Sequence, residues 1–182
     1  TVIGNSLPRF SYSLNLSGDW NNFFVSAFFQ GVGKQDWYPS SECIFWGQYN
    51  RPYNNLPEWH LGNYWTEDNT DAYLPRYAGY NSSLKSTTQT RYLQNVAYIR
   101  LKNLQFGYTL PQEIVSKAKM QNARIYISAE NLWCWSPLYK HTRDLDITNI
   151  YGSDPDLTNG GSGDGQSYPQ MKSISLGVSV TF

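Results

Sequence analysis

The chain is poor in the residues that most often carry chemistry. Of its 182 residues only two are cysteine and two are histidine. Cys43 and Cys134 match no metal-ligand spacing, and neither His60 nor His141 sits at an interval from another His or Cys that would build a zinc site. The cysteines read as two unpaired thiols, although an oxidising compartment would permit a disulfide, and the histidines read as exposed loop residues. An excess of one charge is also missing. Lys and Arg together number 14, as do Asp and Glu, which excludes a basic face for nucleic acid or for an anionic membrane surface. Long apolar runs are absent too, none approaching the roughly 20 residues of a membrane helix. Mean hydropathy is -0.55. That excludes a helical membrane protein but not a barrel, whose strands are only half apolar and whose loops are polar. The opening "TVIGNS" has neither the basic start nor the apolar core of a signal peptide, and the expectation is a mature fragment or the tail of a longer polypeptide.

Catalytic constellations are missing as well. "GGSGDG" around Ser162 completes neither a nucleophile elbow nor a dinucleotide loop and reads as a flexible connection. Glu58, Glu67 and Asp68 lie in a long loop with nothing to fix the carboxylate spacing that glycoside hydrolysis needs. Asp144, Asp146, Asn149, Asp154 and Asp156 offer oxygen ligands for a hard cation, yet lack the order of a calcium-binding loop; a solvated loop is the simpler reading. The chain therefore reads as no enzyme, with no catalytic residue, metal or cofactor.

What is present is alternation. In the closing "SISLGVSVTF", Ile174, Leu176, Val178, Val180 and Phe182 share one parity while Ser173, Ser175, Gly177, Ser179 and Thr181 share the other, so an extended strand is oily on one face and small-polar on the other. Four further segments follow this pattern: "RFSYSLNLSGDW", "FFVSAFFQGVGK", "YIRLKNLQFGYTLP" and "ARIYISAENLWCW". In the second, Phe24 and Phe28 blur the polar parity. In the third, Ile99 and Leu101 fall out of phase with Leu104, Phe106, Tyr108 and Leu110, which predicts a β-bulge near Lys102 and Asn103. The fourth ends in Trp133 and Trp135, placed as an interfacial girdle would be.

The connections alternate short and long. A tight turn near Asp19–Asn22 and the segment Pro111–Asn122, with room for one helical turn from Gln112 to Lys119, are short; Lys34–Val96 and Ser136–Tyr168 are long. Outer-membrane barrels have this asymmetry, with short periplasmic turns and long outer loops, whereas a sandwich turns every 8–12 residues or so. A periplasmic end to the last strand puts both long connections outside. Five strands cannot close a barrel, whose smallest form has about eight, and partner strands are expected from the rest of the polypeptide.

The first long loop is crowded with rings: Trp37, Tyr38, Phe45, Trp46, Tyr49, Tyr53, Trp59, Tyr64, Trp65, Tyr73, Tyr77 and Tyr80. Flat rings cover sugar C–H faces, bury against a protein partner, or pack on one another to order the loop. Seven are the candidates for contact with a substrate or a lid: Trp37, Tyr38, Trp46, Tyr49, Trp59, Trp65 and Tyr77. Internal packing competes for all of them.

Taken in order, "GNSLPRFSYSLNLSGDW", "FFVSAFFQGVGKQDWYP", "WTEDNTDAYLPRY", "TRYLQNVAYIRLKNLQFGYTLP", "ARIYISAENLW" and "YPQMKSISLGVSVTF" resemble the SusC/RagA-type TonB-dependent transporters of the Bacteroidetes outer membrane. The resemblance runs nearly end to end. It implies an all-β fold, with residues 1–182 forming the C-terminal five or so antiparallel strands of a transmembrane barrel of about 22 strands, the plug and earlier strands lying outside this chain. It also implies import of oligosaccharides, or in some members peptides, beneath a SusD-like surface lipoprotein, with energy from the TonB complex reaching the missing N-terminal part. Phe182, an aromatic residue closing a barrel strand, would then be an assembly signal. A secreted carbohydrate-binding β-sandwich is the alternative from another class.

Overall fold

The computed structural model describes residues 2–39, 43–77, 87–150 and 168–182. They form two compact units, one a sheet (residues 9–33, 98–135 and 170–182) and the other built from the described residues of the connections (2–8, 34–39, 43–77, 87–97, 136–150 and 168–169).

The sheet unit holds five antiparallel strands: β1 (Ser11–Trp20), β2 (Phe23–Val32), β5 (Tyr98–Thr109), β6 (Asn122–Trp135) and β7 (Ser173–Thr181), ordered β1-β2-β5-β6-β7. Each strand lies beside the next of the five in the chain, as a meander requires. The turn between β1 and β2 is the pair Asn21–Asn22, both at positive φ (46° and 68°). A two-residue hairpin turn of the right twist needs two such residues, and asparagine tolerates that region better than other side chains. Between β5 and β6 the chain makes one α-helical turn, Gln112–Val115, and a 3-10 turn, Ser116–Ala118. Val115 is buried there, and Lys119, at φ 57°, ends the turn.

Register sorts the side chains as the alternation predicts. Leu16, Ala27, Leu104, Ala129 and Ile174 form one row across all five strands, and Trp20, Phe23, Tyr108, Ile125 and Val178 another. On the opposite face Ser17, Ser26, Gln105, Ser128 and Ser175 line up. The predicted bulge is present: Phe28 pairs with Asn103 and Phe29 with Leu101, so Lys102 is the extra residue. A second irregularity faces it in β6, where Asn131 and Leu132 have no partner in β5 and Asn131 sits at φ 52°.

The apolar face is uncovered. Leu14, Phe106, Ile127 and Leu176 are all exposed, Leu176 at 75%, although water-soluble monomers rarely show apolar patches beyond a few hundred Å². Aromatic rings gather at both ends of this face. Phe23 stacks on Phe106 at 5.8 Å and tilts against Tyr108 at 4.8 Å beside Trp20; Trp133, Trp135 and Tyr12 lie at the other end. From Trp20 to Tyr12 is eight residues, about 27 Å at a strand's usual rise of about 3.4 Å, close to the roughly 25 Å apolar band of a barrel wall.

Two aromatic residues on the polar face, Phe24 and Tyr126, cover glycines, whereas Phe28 lies between Asn15 and Asn103. Phe24 pairs with Gly107, and Tyr126 with Gly177. A Cβ on either glycine would meet the ring at 2.6 or 2.3 Å, so each ring lies on bare backbone, the device by which an aromatic residue shields a glycine in a sheet.

Candidate functional site

The connections make a unit with its own core. Two short strands, β3 (Asp36–Trp37) and β4 (Gln94–Asn95), pair antiparallel, and 3-10 turns cover Ile44–Tyr49, Glu58–His60, Thr90–Tyr92 and Pro137–Lys140. Cys43 and Ser136 cap two of these turns, their side chains accepting from the backbone N–H of Phe45 and Leu138. Into this frame the rings pack. Phe45 and Trp46 meet edge-on at 5.2 Å, Trp37 meets Phe45 at 6.0 Å, and Tyr92 meets Trp46 at 5.5 Å. Trp46 Nε1 donates to the Pro39 carbonyl at 3.2 Å, so its polar end is satisfied where water is absent.

The seven candidate contact residues therefore divide. Trp37, Trp46 and Tyr49 are interior, at most 1% exposed, and their faces are occupied by neighbouring rings. Tyr38, Trp59, Trp65 and Tyr77 are half-buried. Tyr77 stacks on Tyr49 at 4.2 Å, and Tyr49 donates its hydroxyl to the Pro75 carbonyl. The backbone N–H of Trp65 donates to the Leu74 carbonyl at 2.9 Å. Tyr80, Asp154, Asp156 and Ser162 lie outside the described residues. Cys43 is buried in this unit, and Cys134 is half-buried on the sheet.

The histidines depart from the expectation of exposed loop residues. His60 is fully buried because the turn Glu58–His60 drives it under Phe45 and Tyr49. Its Nδ1 lies 2.6 Å from the Tyr77 hydroxyl and its Nε2 3.0 Å from the Phe45 carbonyl. The carbonyl can only accept, so Nε2 carries the proton and Nδ1 accepts from Tyr77. Burial holds the imidazole at about 4, against its usual 6.5, although the hydrogen bond to Phe45 pulls the other way. Burial also raises the Tyr77 and Tyr49 hydroxyls, with neighbouring tyrosines adding to it. His141 is half-buried, stacked on Tyr73 at 4.7 Å, and lowered by burial and then by Lys140.

The acidic stretch is used locally. Asp144 accepts from the Thr142 hydroxyl at 2.8 Å, and Asp146 accepts from both the backbone N–H and the hydroxyl of Thr148. Among the described residues no cluster of His, Cys, Asp or Glu has metal-holding geometry.

One cleft of about 810 Å³ opens on this unit. Phe45 and Trp59 give it an aromatic side, Asn50, Arg51, Asn54 and Asn55 a polar one, and Thr142, Asp144 and Leu145 lie along the rest. Gly47 sets the arrangement. At φ 49° and ψ -122° it kinks the 3-10 segment, and a Cβ there would sit 2.4 Å from Pro57. Its carbonyl accepts from the backbone N–H of Asn50 and Arg51 and, at 3.4 Å, from the Asn54 amide. Of the cleft's lining only Trp59 was singled out from sequence as a contact residue. The run "YNRPYNN" has no periodicity, and its asparagine content was the sole available signal.

No family model matches the chain. It is similar along its whole length to two TonB-dependent receptors of Formosa agariphila, P3 at 29% identity and P26 at 27%. The chain spans 17% and 18% of the length of these relatives. Among solved structures, a chain of the RagAB peptide importer in its closed-closed state matches all of this chain at a TM-score of 0.67 and 23% identity, with 18% of that chain covered. The open-open state gives 0.58 over 94% of this chain. The resemblance to the C-terminal part of a SusC/RagA-type receptor is thus carried by sequence relatives and by fold alike. The fold is a partial antiparallel barrel wall, and the protein resides in the outer membrane.

Proposed function

We propose that this chain is the C-terminal wall and outer loop region of a TonB-dependent importer that takes up oligosaccharides together with a SusD-like surface lipoprotein. One observation carries the reading: a five-stranded sheet whose apolar face is uncovered and ringed by aromatics at both ends, while its other face is small and polar. A secreted sandwich would cover the apolar face with a second sheet. A barrel turns it to lipid and gives the polar face to a hydrated interior. The outer edges of β1 and β7 each lack a neighbour among the described residues, and unpaired backbone groups in lipid cost several kcal/mol each, so further strands belong on both sides.

The short connections, Asn21–Asn22 and the 110–121 segment, leave from one end of the sheet, and the long ones leave from the other. In this reading the long connections face outward and TonB acts through the part of the receptor outside this chain. Cysteine labelling of intact cells should then fail at Ser116→Cys and succeed at Leu61→Cys. Peptides are the second candidate cargo, favoured by the fold match to a peptide importer. Uptake of fluorescent oligosaccharides and peptides by cells with and without the complete receptor tests the function. Loss of uptake of one class, restored by the gene, is expected; unchanged uptake of both would end the proposal.

A further inference from the structure

We propose that the cleft beside Trp59 is a binding subsite for a neutral oligosaccharide, built entirely within the loop unit. The inference deepens the importer reading, on which it rests for its biological setting. Its argument begins with the lining. Trp59 is held against Phe45 at 4.8 Å and edge-on to His60 at 4.2 Å, so it offers a fixed aromatic surface with little left to lose on binding. A sugar ring has C–H groups on one face and hydroxyls around its rim, and the cleft pairs the same two chemistries. Around the aromatic side stand side-chain amides, one guanidinium and one carboxylate, groups that donate and accept in fixed planes.

Charge narrows the ligand. Among the described residues Arg51 and Asp144 are the cleft's one cation and one anion, so the described lining is neutral and gathers no group of cations for a phosphate or sulfate. A peptide would be held through aligned backbone groups or a free strand edge. Here the Gly47 carbonyl already serves three donors, and Asn50, Arg51, Asn54, Asn55, Thr142 and Asp144 bring polar side chains to the lining. The volume lies within the roughly 300–1,000 Å³ of small-ligand sites. The Gly47 kink places Asn50, Arg51 and Asn54 together before any ligand arrives, which makes the polar side preformed.

The complete receptor in detergent, titrated calorimetrically with neutral hexasaccharides of glucose, xylose, mannose and galactose and with hexaalanine, tests this. At least one hexasaccharide should bind, with Trp59→Ala weakening it about tenfold. Asp144→Asn, which keeps the shape of an exposed side chain and so does not depend on the packing of Trp59, should weaken it about threefold. Leu61→Ser, exposed and outside the cleft, should bind as the wild type does. Absence of binding by every hexasaccharide, or binding indifferent to both cleft variants, overturns the subsite. Hexaalanine binding weakened by both variants would assign the cleft to peptides and overturn it too. Cellular uptake in the receptor-null strain separates the two readings: uptake that needs the receptor but ignores Trp59→Ala leaves the importer standing without this subsite.

Discussion

Trp20, on the sheet, is 79% exposed, and Trp46, in the loop unit, is 0% exposed. The same contrast runs through both units. The sheet holds Leu14, Leu16, Ile127, Leu176 and Trp20 outward on one face, and the loop unit folds its rings inward around Phe45 and Trp46. One residue chemistry thus meets two surroundings: in the proposed barrel the sheet's apolar face meets lipid, so position across the membrane decides each side chain's worth, whereas in the loops the partner is protein and packing decides it.

The comparison breaks most readily at Trp46. Trp46→Ala should cost the loop unit about 3–5 kcal/mol through the cavity it leaves and the lost contacts with Tyr92 and Phe45. Limited proteolysis of the complete receptor would read this as cleavage within residues 34–97, with the barrel's heat-modifiable gel mobility retained. Trp20→Ala should leave both nearly unchanged. Similar outcomes for the two tryptophans would mean that their surroundings are not as different as their burial indicates.

The sheet side comes next. Leu176→Arg should cost about 2–4 kcal/mol near the middle of the lipid face, and Ser175→Arg, one residue earlier on the hydrated face, far less. Ser175 is a cleaner position than Ser179, which pairs directly with Arg124 and would set two cations opposite each other. Surface abundance and gel mobility of both variants give the result, and equal losses would reverse the faces. On the polar face, Gly107→Ala should cost about 1–3 kcal/mol by overpacking, because its Cβ would meet both the Phe24 ring and the Ile125 carbonyl. Phe24→Leu should relieve part of that loss, and a neutral Gly107→Ala in the same gel assay would remove the role given to this ring.

These contrasts show why the sheet was legible and the loop unit was not. A strand writes its two faces into alternate residues, so all five strands could be read from their alternation, and the phase slip between Leu101 and Leu104 placed the bulge near Lys102 and Asn103. The second bulge stayed hidden because Asn131 and Leu132 insert two residues, which restores the parity of Trp133 and Trp135 with Ala129. In the loops no period connects neighbours: Trp46 packs with Tyr92, and His60 bonds Tyr77. Their composition announced rings without saying which would be interior. The two-residue strands β3 and β4 are too short to carry a pattern.

The smallest effect uses the histidines, both of which belong to the loop unit. His60 is neutral in the fold and titrates near 4, but in the unfolded chain it titrates near 6.5. Its lowered folded value means that the unfolded chain takes up the proton first, so stability is fully present above pH 6.5 and is lost as pH falls toward 4. At pH 5.5 the loss from His60 is about 1 kcal/mol, and His141, lowered in the same direction, adds to it. The described sheet contains no histidine and should be indifferent over this window. Proteolysis rates of residues 34–97 at pH 7.5 and 5.5 should therefore diverge, with barrel gel mobility unchanged. His60→Gln, which cannot titrate, should flatten most of the slope even though it lowers stability at both pH values. A slope that survives this substitution would show that the proton enters elsewhere, and the hydrogen-bonded Tyr77–His60–Phe45 chain would then be packing without a pH response.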